Sequence, residues 1–443
     1  MEKNERMLKR WWLLGFLGLV LAGLLIACGS SYNSSSDGLL VVGSQGSGLL
    51  ETFSFTLNNG SISPIYNTPV DTNGETCVLN GLPASMVMDP AGAYVYTLIN
   101  ANSACNTGST ISTTVIAPFK VNSDGTLSQT GNQVTLNQSV VPNALYMDAA
   151  GKFLFVANLA QGTVPGTVSV LAIGSGGSLT EVPGSPFSVP VSGTTANLVA
   201  LAATPTVFPA IGINGVQGAV CSSGENLPTS EYLYAVDNEN YMVWEFAVNT
   251  STGVLSSPIP TSPIPSFATD ALPAGVAVDP CDRFVYVSGS LHNTVSAYTI
   301  CNGLPSQSTT CTSASLPPGA LLAVNGSPFS LGGAANGPGP LVVAPTGNFV
   351  YVLDTLSNTI SPFKISPVTG GLTGLNPATV ATGIGPVSIT IRADDNWMFV
   401  ANYGSIGNGG NTVSQYSITP ATGALNVQTP IQTDNYPWGV AVK

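Results

Sequence analysis

One phrase recurs along the chain and constrains its fold more than any other feature. The phrase consists of a proline, an apolar stretch, a tight turn, an aromatic–apolar–aromatic triplet and a polar loop. Its copies are PASMVMDPAGAYVY from Pro83, PNALYMDAAGKFLF from Pro142, PAGVAVDPCDRFVY from Pro273, PGPLVVAPTGNFVY from Pro338 and PVSITIRADDNWMF from Pro386. A divergent copy opens at Ala196, and a truncated copy, PWGVAVK, begins at Pro437. Self-similarity of this kind is typical of repeat architectures.

Each copy predicts two strands joined by a tight turn. The apolar stretch is nearly continuous, as in an inner strand buried on both faces, and the triplet alternates as a second strand does. A third strand follows, for example NTVSAYTI from Asn293, and a glycine-containing turn then leads to a short fourth strand. Four antiparallel strands per repeat form the blade of a β-propeller. The sequence therefore predicts an all-β fold.

Seven blades are predicted if the two ends of the chain complete one blade together. The phrase from Pro437 supplies only an inner strand, whereas the segment from Leu39 supplies LLVVG, LETFSFTL and a short stretch at Ser61. Joining these fragments closes the ring and removes sheet edges that would otherwise template aggregation. We therefore predict six whole blades and one shared blade over residues 39–443.

The first residues predict an export signal rather than part of the ring. Four basic residues precede an apolar run from Trp11 to Ala27, which is shorter than the roughly 20 residues of a spanning helix. The run ends in Leu-Ile-Ala-Cys, which resembles the bacterial lipobox. Residues 1–27 are thus predicted to be a lipoprotein signal peptide, Cys28 the lipidated residue, and residues 28–38 a Ser-rich tether. This predicts an extracytoplasmic, lipid-anchored location in the cell envelope, on the outer membrane or the outer face of the inner membrane.

Six further cysteines suit an exported protein. An even number of cysteines in an oxidising compartment indicates disulfides, and the six are Cys77, Cys105, Cys221, Cys281, Cys301 and Cys311. Blade topology places the first two on one face of the ring and the other four on the opposite face. We predict Cys77–Cys105, Cys301–Cys311 and Cys221–Cys281, although three pairings of the last four remain possible from the residues alone.

Charge excludes one class of partner. The chain has 10 Lys and Arg against 22 Asp and Glu, a net charge of −12. A chain with so little positive charge cannot neutralise nucleic-acid phosphates. We expect a monomer without a cofactor that reaches the membrane through its lipid, with a carbohydrate or an envelope protein as its partner.

The phrases FVYVSGSLHNTVSAYTI and MFVANYGSIGNGGNTVSQYSITPATGAL, together with the repeats, resemble the lactonase-like seven-bladed propellers. This family contains 6-phosphogluconolactonase and the related YVTN-repeat surface proteins, and the resemblance covers essentially residues 39–443. It implies the seven-bladed fold and, for enzymatic members, lactone hydrolysis by Arg, His and Glu groups at the channel mouth. The matching positions here, such as Asn143 and Trp438 after the opening prolines, carry neither Arg nor His.

The second strands end in polar residues on the face where propellers commonly bind ligands. Asp237, Glu239 and Asp354 are the candidate acid–base groups for a hydrolase, and oxygen ligands of this kind would also suit a structural Ca²⁺. The candidate ligand-binding residues are Asn158, Asn402, Tyr403, Tyr436 and Trp438. The aromatic rings among them, and that of Tyr241, offer flat apolar faces that match the C–H face of a pyranose.

Other chemistry-bearing residues are better explained by the fold. The single histidine, His292, falls in a turn ahead of a third strand. Asp89, Asp148 and Asp279 occupy one position of the repeat and are expected to cap their own turns. Trp244 alternates within a third strand, which indicates packing inside a blade.

The sequence favours a lipid-anchored β-propeller that acts as a binding or scaffold module at the cell envelope. One alternative is a sugar-lactone hydrolase that uses Asp237, Glu239 or Asp354 with water. Another is a surface-adhesion or polysaccharide-binding protein that uses its mouth aromatics. A 27-residue insertion over 204–230 is either a partner-docking element or an excursion clipped by a disulfide.

Overall fold

In the computed structural model, nearly all of the regular secondary structure among the described residues is β-strand. The structure describes residues 37–68, 81–101, 114–136, 140–189, 195–205, 230–256, 259–263, 272–301, 311, 316–332, 335–405 and 408–443. These residues form seven antiparallel sheets arranged as the blades of a β-propeller, together with a 3₁₀ turn at Ser175–Gly177. The predicted fold class is therefore confirmed.

The strands follow the order that the repeat predicts. The chain begins with β1 (Asp37–Ser44), β2 (Leu49–Thr56) and β3 (Ile62–Thr68). Blade 1 contains β4 (Gly81–Met88), β5 (Tyr94–Ala101), β6 (Val115–Val121), β7 (Leu127–Gln129) and β8 (Val134–Thr135). Blade 2 contains β9 (Val141–Met147), β10 (Phe153–Leu159), β11 (Thr167–Ile173), β12 (Leu179–Glu181) and β13 (Phe187–Ser188). Blade 3 contains β14 (Leu198–Ala203), β15 (Glu231–Asp237), β16 (Met242–Val248) and β17 (Ile259–Pro263).

The remaining blades repeat the same pattern. Blade 4 contains β18 (Pro273–Val278), β19 (Phe284–Gly289), β20 (Thr294–Ile300), β21 (Leu321–Ala323) and β22 (Phe329–Ser330). Blade 5 contains β23 (Pro338–Val343), β24 (Phe349–Asp354), β25 (Thr359–Ile365), β26 (Leu372–Gly374) and β27 (Val380–Ala381). Blade 6 contains β28 (Pro386–Ile391), β29 (Trp397–Ser405), β30 (Asn408–Thr419), β31 (Ala424–Val427) and β32 (Ile431–Gln432), and β33 (Pro437–Val442) ends the series.

Blade 7 is built from both ends of the chain, as predicted. Strand β33 pairs antiparallel with β1, so that Val440 lies opposite Val42 and Val442 opposite Leu40. The sheet order is β3-β2-β1-β33. The innermost strands contact one another from blade to blade, and β33 contacts both β28 and β4. The ring is thus closed by pairing between its first and last described strands.

The outer edge of the blades differs from the single short fourth strand that we expected. In blades 1, 2, 4, 5 and 6 the third strand pairs with two short segments, as β25 does with β26 and β27. In four of these blades a proline lies between the segments or beside them; the four are Pro186, Pro328, Pro377 and Pro430. Proline has no N–H to donate to a ladder and is confined to the edges of sheets. The outer strand is therefore interrupted.

The apolar core of the described residues is divided among the interfaces between neighbouring blades. Seven clusters are present, one at each interface around the ring. At the interface of blades 6 and 7, Phe55 lies 5.1 Å from Phe399 between ring centroids. Burying one such side chain stabilises the fold by about 1.5–3 kcal/mol. Each blade therefore depends on its neighbours on both sides.

In blades 2 to 7, a glycine in the turn after the third strand lies under an aromatic ring of the preceding blade. The pairs are Tyr94–Gly177, Phe153–Gly253, Tyr232–Gly319, Phe284–Gly370, Phe349–Gly423 and Trp397–Gly60. Gly423 has a φ of +72°, and a Cβ placed there would lie 2.4 Å from Cδ1 of Phe349. The hydroxyl of Tyr351 donates a hydrogen bond to the Gly423 carbonyl at 2.9 Å. The aromatic triplet of the repeat thus joins one blade to the next.

The substitution Gly423→Ala is expected to destabilise the protein by about 2–4 kcal/mol. A non-glycine residue at this φ costs roughly 1 kcal/mol or more, and crowding of the Phe349 ring adds about 1–3 kcal/mol. Urea unfolding gives the loss. Gly176→Ala is the matched control, because Gly176 has a φ of +71° but nothing lies within 4 Å of its Cβ. Equal losses in the two variants would contradict the packing argument.

One of the predicted disulfides is confirmed. Cys301 and Cys311 are bonded, with an S–S distance of 2.04 Å and a Cα–Cα distance of 5.5 Å. Cys281 is also disulfide-bonded, and its partner lies outside the described residues. Cys77, Cys105 and Cys221 are outside them as well, as is most of the 204–230 insertion. The pairings Cys77–Cys105 and Cys221–Cys281 stay predictions.

The predicted leader also falls outside the described residues. The signal peptide over 1–27, lipidation of Cys28 and the tether to which it leads therefore stay predictions. Within the part of the chain that the structure describes, no helix has the length and apolar character needed to span a membrane.

Candidate functional site

The ring has two different ends. Every inner strand begins at one end, which we call the mouth face; it also carries the turns between second and third strands. The opposite end, the rear face, carries the turns between inner and second strands. The inner strands contain six to eight residues, and at a rise of roughly 3.3 Å per residue this separates the faces by about 20 Å.

Each inner strand opens with a β-bulge at the mouth face. In all seven blades the pairing register shifts near the start of the inner strand, directly after Leu198 in blade 3 and directly after the proline of the repeat in the other six. A bulge inserts an extra residue and re-aims a side chain. The inserted residues are Ala84, Asn143, Val199, Ala274, Gly339 or Pro340, Val387 and Trp438. The positions that the family resemblance associates with Arg and His therefore carry mainly small or aliphatic residues, with Trp438 the largest.

Blades 6 and 7 bring three aromatic rings together at the mouth face. The ring centroid of Tyr403 lies 5.1 Å from that of Tyr436 and 5.0 Å from that of Trp438, and the Tyr403 and Trp438 planes are nearly perpendicular at 87°. All three side chains are half-buried. We call these residues the aromatic cluster. The structure thus unites the three aromatics that the sequence predicted for sugar stacking.

Backbone hydrogen bonds hold the aromatic cluster in place. The N–H of Tyr436 donates to the Gly410 carbonyl at 2.7 Å, and its carbonyl accepts from the N–H of Gln45 at 2.9 Å. The N–H of Tyr403 donates to the Gly385 carbonyl at 2.8 Å. Tyr436 has a φ of +60°, a conformation that is rare for bulky residues and concentrates at functional sites. The cluster is therefore rigid and depends on segments from both ends of the chain.

The polar residues that end the second strands point into the blades. Asn158, Asp237, Asp354 and Asn402 are each 0% exposed, and each lies opposite the residue that opens the inner strand. The amide of Asn402 donates to the hydroxyls of Thr412 and Ser414 at 3.1 and 3.0 Å. The amide of Asn158 makes the same kind of bonds within blade 2. These four side chains therefore do not line the mouth, and hydroxyls on the third strands bind Asn158 and Asn402 inside their blades.

Asp237 shows how such a residue is used. Its Oδ1 accepts hydrogen bonds from the backbone N–H groups of Asn197, Glu239 and Asn240 at 2.9–3.2 Å. Its Oδ2 accepts from the indole N–H of Trp244 at 3.1 Å. The carboxylate thus anchors the turn of blade 3 and its entering link, and Trp244 packs in the core as the sequence indicated.

The other two candidate carboxylates lie in different surroundings. Oδ2 of Asp354 accepts hydrogen bonds from Thr359 and Ser361 at 2.9 and 2.8 Å. Oδ1 of Asp354 is buried without a partner among the described residues, and burial raises the pKa of this carboxyl to about 6. Glu239, in blade 3, is the exposed member of the trio. The structure therefore does not bring Asp237, Glu239 and Asp354 together.

The residues for which the sequence predicted a structural role lie in turns of the blades. Oδ1 of Asp89 accepts from two backbone N–H groups of its own turn, both at 2.6 Å. Asp148 and Asp279 repeat this arrangement in blades 2 and 4. His292 is exposed in a turn at the mouth face, and Tyr241 is half-buried in a turn of blade 3.

Glu51 is a residue of the site that sequence reasoning missed. It is 3% exposed, and its Oε2 accepts a 2.6 Å hydrogen bond from Ser44. Both carboxylate oxygens accept from the N–H of Asp434, at 3.1 and 3.0 Å. Burial raises the pKa of Glu51, against the effect of these hydrogen bonds. Glu51 holds the link that carries Tyr436, and no local pattern could reveal a contact across 383 positions.

Metal ligation finds no support in the part of the chain that the structure describes. Within it, no group of three or more His, Cys, Asp or Glu side chains is placed to hold an ion. The structural Ca²⁺ suggested by the sequence stays a prediction.

Seven antiparallel blades, closed by pairing between β33 and β1, define the class of β-propellers. The family model described as "Lactonase, 7-bladed beta-propeller" matches residues 325–438, a stretch that includes the whole aromatic cluster. Over that stretch the sequence is similar to the lactonase-like propellers, and the described residues have the seven-bladed β-propeller fold that the repeats predicted.

Solved structures with the same fold come from several bacteria. The periplasmic gluconolactonase PpgL of Pseudomonas aeruginosa is 19% identical, with a TM-score of 0.63 over 92% of this chain and 99% of that one. A protein of Bacteroides fragilis provisionally assigned as a 6-phosphogluconolactonase is 18% identical, with a TM-score of 0.64 over 94% and 100%. A protein of Lactobacillus plantarum is 15% identical, with a TM-score of 0.65 over 92% and 99%. No curated protein matches the sequence. At these identities the likeness shows the fold alone.

Proposed function

We propose that this protein is a sugar-binding module of the cell envelope and that the aromatic cluster is its binding site. The observation that carries the proposal is the convergence of three half-buried rings, with centroids 5.0 and 5.1 Å apart, at the mouth face. Aromatic faces match the apolar C–H faces of sugar rings, while the hydroxyls of Tyr403 and Tyr436 can hydrogen-bond at the rim. A pre-formed, mainly apolar site with a few polar groups is typical of small-ligand recognition.

Two further features support this function. The rigid backbone around Tyr436 keeps the rings in place before a ligand arrives, which lowers the entropy cost of binding. The leader over 1–27 and Cys28 support a lipid-anchored, extracytoplasmic location, where polysaccharides of the envelope are the sugars at hand.

Lactone hydrolysis is the second candidate function. The family match and the fold of the P. aeruginosa gluconolactonase favour it, and a six-membered sugar lactone has the shape that the aromatic cluster fits. Glu239 is the candidate carboxylate that solvent reaches, and it would have to activate water as a general base.

A glycan array probed with the intact protein and with Trp438→Ala tests the proposal. Loss of the indole is expected to weaken sugar binding about ten-fold or more, equivalent to roughly 1.4 kcal/mol. Trp438→Phe keeps an aromatic face and should retain part of the affinity. Trp244→Phe, which alters a buried tryptophan of blade 3, is the control and should bind normally.

Two results would count against the proposed function. Binding that is unchanged in Trp438→Ala would show that the aromatic cluster is not the site. Turnover of glucono-1,5-lactone that disappears in Glu239→Gln would favour hydrolysis over binding alone. Thermal unfolding of each variant confirms that the ring is intact.

A further inference from the structure

Every Lys and Arg after residue 27 lies at the rear face. The six are Lys120, Lys152, Arg283, Lys364, Arg392 and Lys443, and the sequence from 28 to 443 holds no others. Three of them stand in or beside turns between inner and second strands. Two lie at the rear ends of third strands, as shown by the pairing of Lys120 with Tyr94 and of Lys364 with Phe349. Lys443 follows β33 and lies against the rear turn of blade 1 at Gly92.

Two of these cations, Arg283 and Arg392, form ion pairs at the rear face. Arg283 forms an ion pair with Asp279 at 2.7 Å. Arg392 pairs with Asp394, and its Nε donates to the Lys443 carbonyl at 3.0 Å. The rear face is about 20 Å from the mouth face, whereas charges in physiological salt are screened over about 8 Å. The positive charges therefore cannot act on a ligand at the mouth.

The acidic residue next to the aromatic cluster along the chain is Asp434. It is half-buried in the link that leads into Tyr436, and its N–H is bound by the buried carboxyl of Glu51. Glu239 is exposed on the mouth face in blade 3, away from the cluster. Among the described residues, His292 in blade 4 is the single basic side chain at this end.

Aliphatic side chains are exposed in the described part of the rim of blades 4–6. Four exposed side chains lie in its turns and links: Leu272, Leu291, Leu356 and Ile384, which are 39–71% exposed. The carbonyl of Ile384 accepts from the N–H of Gly404, next to Tyr403. Exposed apolar side chains are thus present at the mouth face beyond the aromatic cluster.

We infer that the aromatic cluster takes uncharged sugars or amino sugars and rejects phosphorylated ones. The inference rests on the proposed sugar binding and adds the class of ligand. A phosphate is normally held by charge-assisted hydrogen bonds from Arg or Lys, which this mouth does not offer. Its approach is opposed by the charge of Asp434, whereas an ammonium group would be attracted to the same carboxylate.

A matched series of D-glucose, D-glucosamine and D-glucose 6-phosphate tests the inference. Titration by NMR at 20 mM NaCl is expected to show D-glucose 6-phosphate binding about ten-fold more weakly than D-glucose, with D-glucosamine at least as tight as D-glucose. The difference should shrink at about 300 mM NaCl, because salt screens the repulsion. Trp438→Ala should weaken binding of D-glucose and D-glucosamine.

Variants separate charge selection from stacking. Asp434→Asn should narrow the difference in affinity between D-glucose and its 6-phosphate. Ile384→Arg, at an exposed position of the mouth face whose backbone bonds Gly404 beside Tyr403, should bring phosphate binding to the mouth. His292→Asn is the control and should leave the ranking unchanged. Trp438-dependent binding of D-glucose 6-phosphate as tight as that of D-glucose would overturn the inference and leave the proposed function standing. If neither these sugars nor the array glycans bind in a way that depends on Trp438, both this inference and the proposed sugar binding are wrong.

Discussion

Deletion of residues 437–443 is expected to abolish the folded ring rather than merely shorten it. Strand β33 pairs with β1 over its whole length and contributes Val440 and Ala441 to the clusters on either side of blade 7. Without it, β1 becomes an open edge and two interfaces lose their inner wall. The loss should exceed about 5 kcal/mol, which is the lower end of the stability of a whole domain. Circular dichroism and gel filtration of the truncated protein will show unfolding or aggregation.

A complementation experiment controls for non-specific damage. The synthetic peptide PWGVAVK should restore the native signal of the truncated protein by pairing with β1. Removal of Lys443 alone, which lies outside β33, should cost only about 1–3 kcal/mol, since two hydrogen bonds are lost, one from Arg392 to its carbonyl and one from its N–H to the Leu39 carbonyl. A truncated protein that melts cooperatively within a few degrees of the full chain would contradict the closed-ring argument.

Raising the pH from 5 to 8 is expected to lower the free energy of unfolding by several kcal/mol. Glu231 and Glu245 are 1% and 3% exposed, and each has a buried carboxyl oxygen without a partner among the described residues. Burial raises the pKa of both groups to about 8, and the charge of Asp148 adds to the effect at Glu231. A shift from 4.5 to about 8 corresponds to at most about 5 kcal/mol for each group.

The direction follows from proton binding. The folded protein holds these protons more tightly than the unfolded chain, so the stabilisation is complete below pH 4.5 and is lost as the pH rises towards 8. Asp354 and Asp395, whose pKa values burial raises to about 6, act in the same direction. Urea unfolding across this range measures the slope.

Substitution identifies the groups responsible for this slope. Glu231→Gln and Glu245→Gln should each flatten it, because an amide cannot titrate, whereas Glu239→Gln at an exposed position should not change it. A stability maximum above pH 7 in the intact protein would refute the assignment.

The architecture could be predicted from the sequence because a propeller repeats one local pattern. The phrases at Pro83, Pro142 and Pro273 each encode two strands and a turn, so an error in one copy is corrected by the others. Ring closure could be predicted in the same way, because the phrase from Pro437 supplies only an inner strand and its remaining strands occur only near Leu39. The Cys301–Cys311 bridge was accessible because its two residues flank one turn.

The environment of the candidate site residues could not be predicted in this way. Asn158, Asp354 and Asn402 end their strands at the mouth face, as expected, but hydroxyls on the third strands draw them inwards. Whether such a polar residue faces solvent depends on how its strand pairs with the third strand. The residue type alone does not reveal this register. The contact of Glu51 with Asp434 exists only after the ring has closed, and it lies outside the repeated phrase.

The pairing of β33 with β1 also determines when, during synthesis, the aromatic cluster can form. During synthesis the partners of Tyr436 and Trp438 in β1 and β2 emerge first, and the strand that bears these rings emerges after every other blade. The aromatic cluster therefore cannot form until β33 has been made and has paired with β1. Under the proposed function, sugar affinity reports directly on completed ring closure.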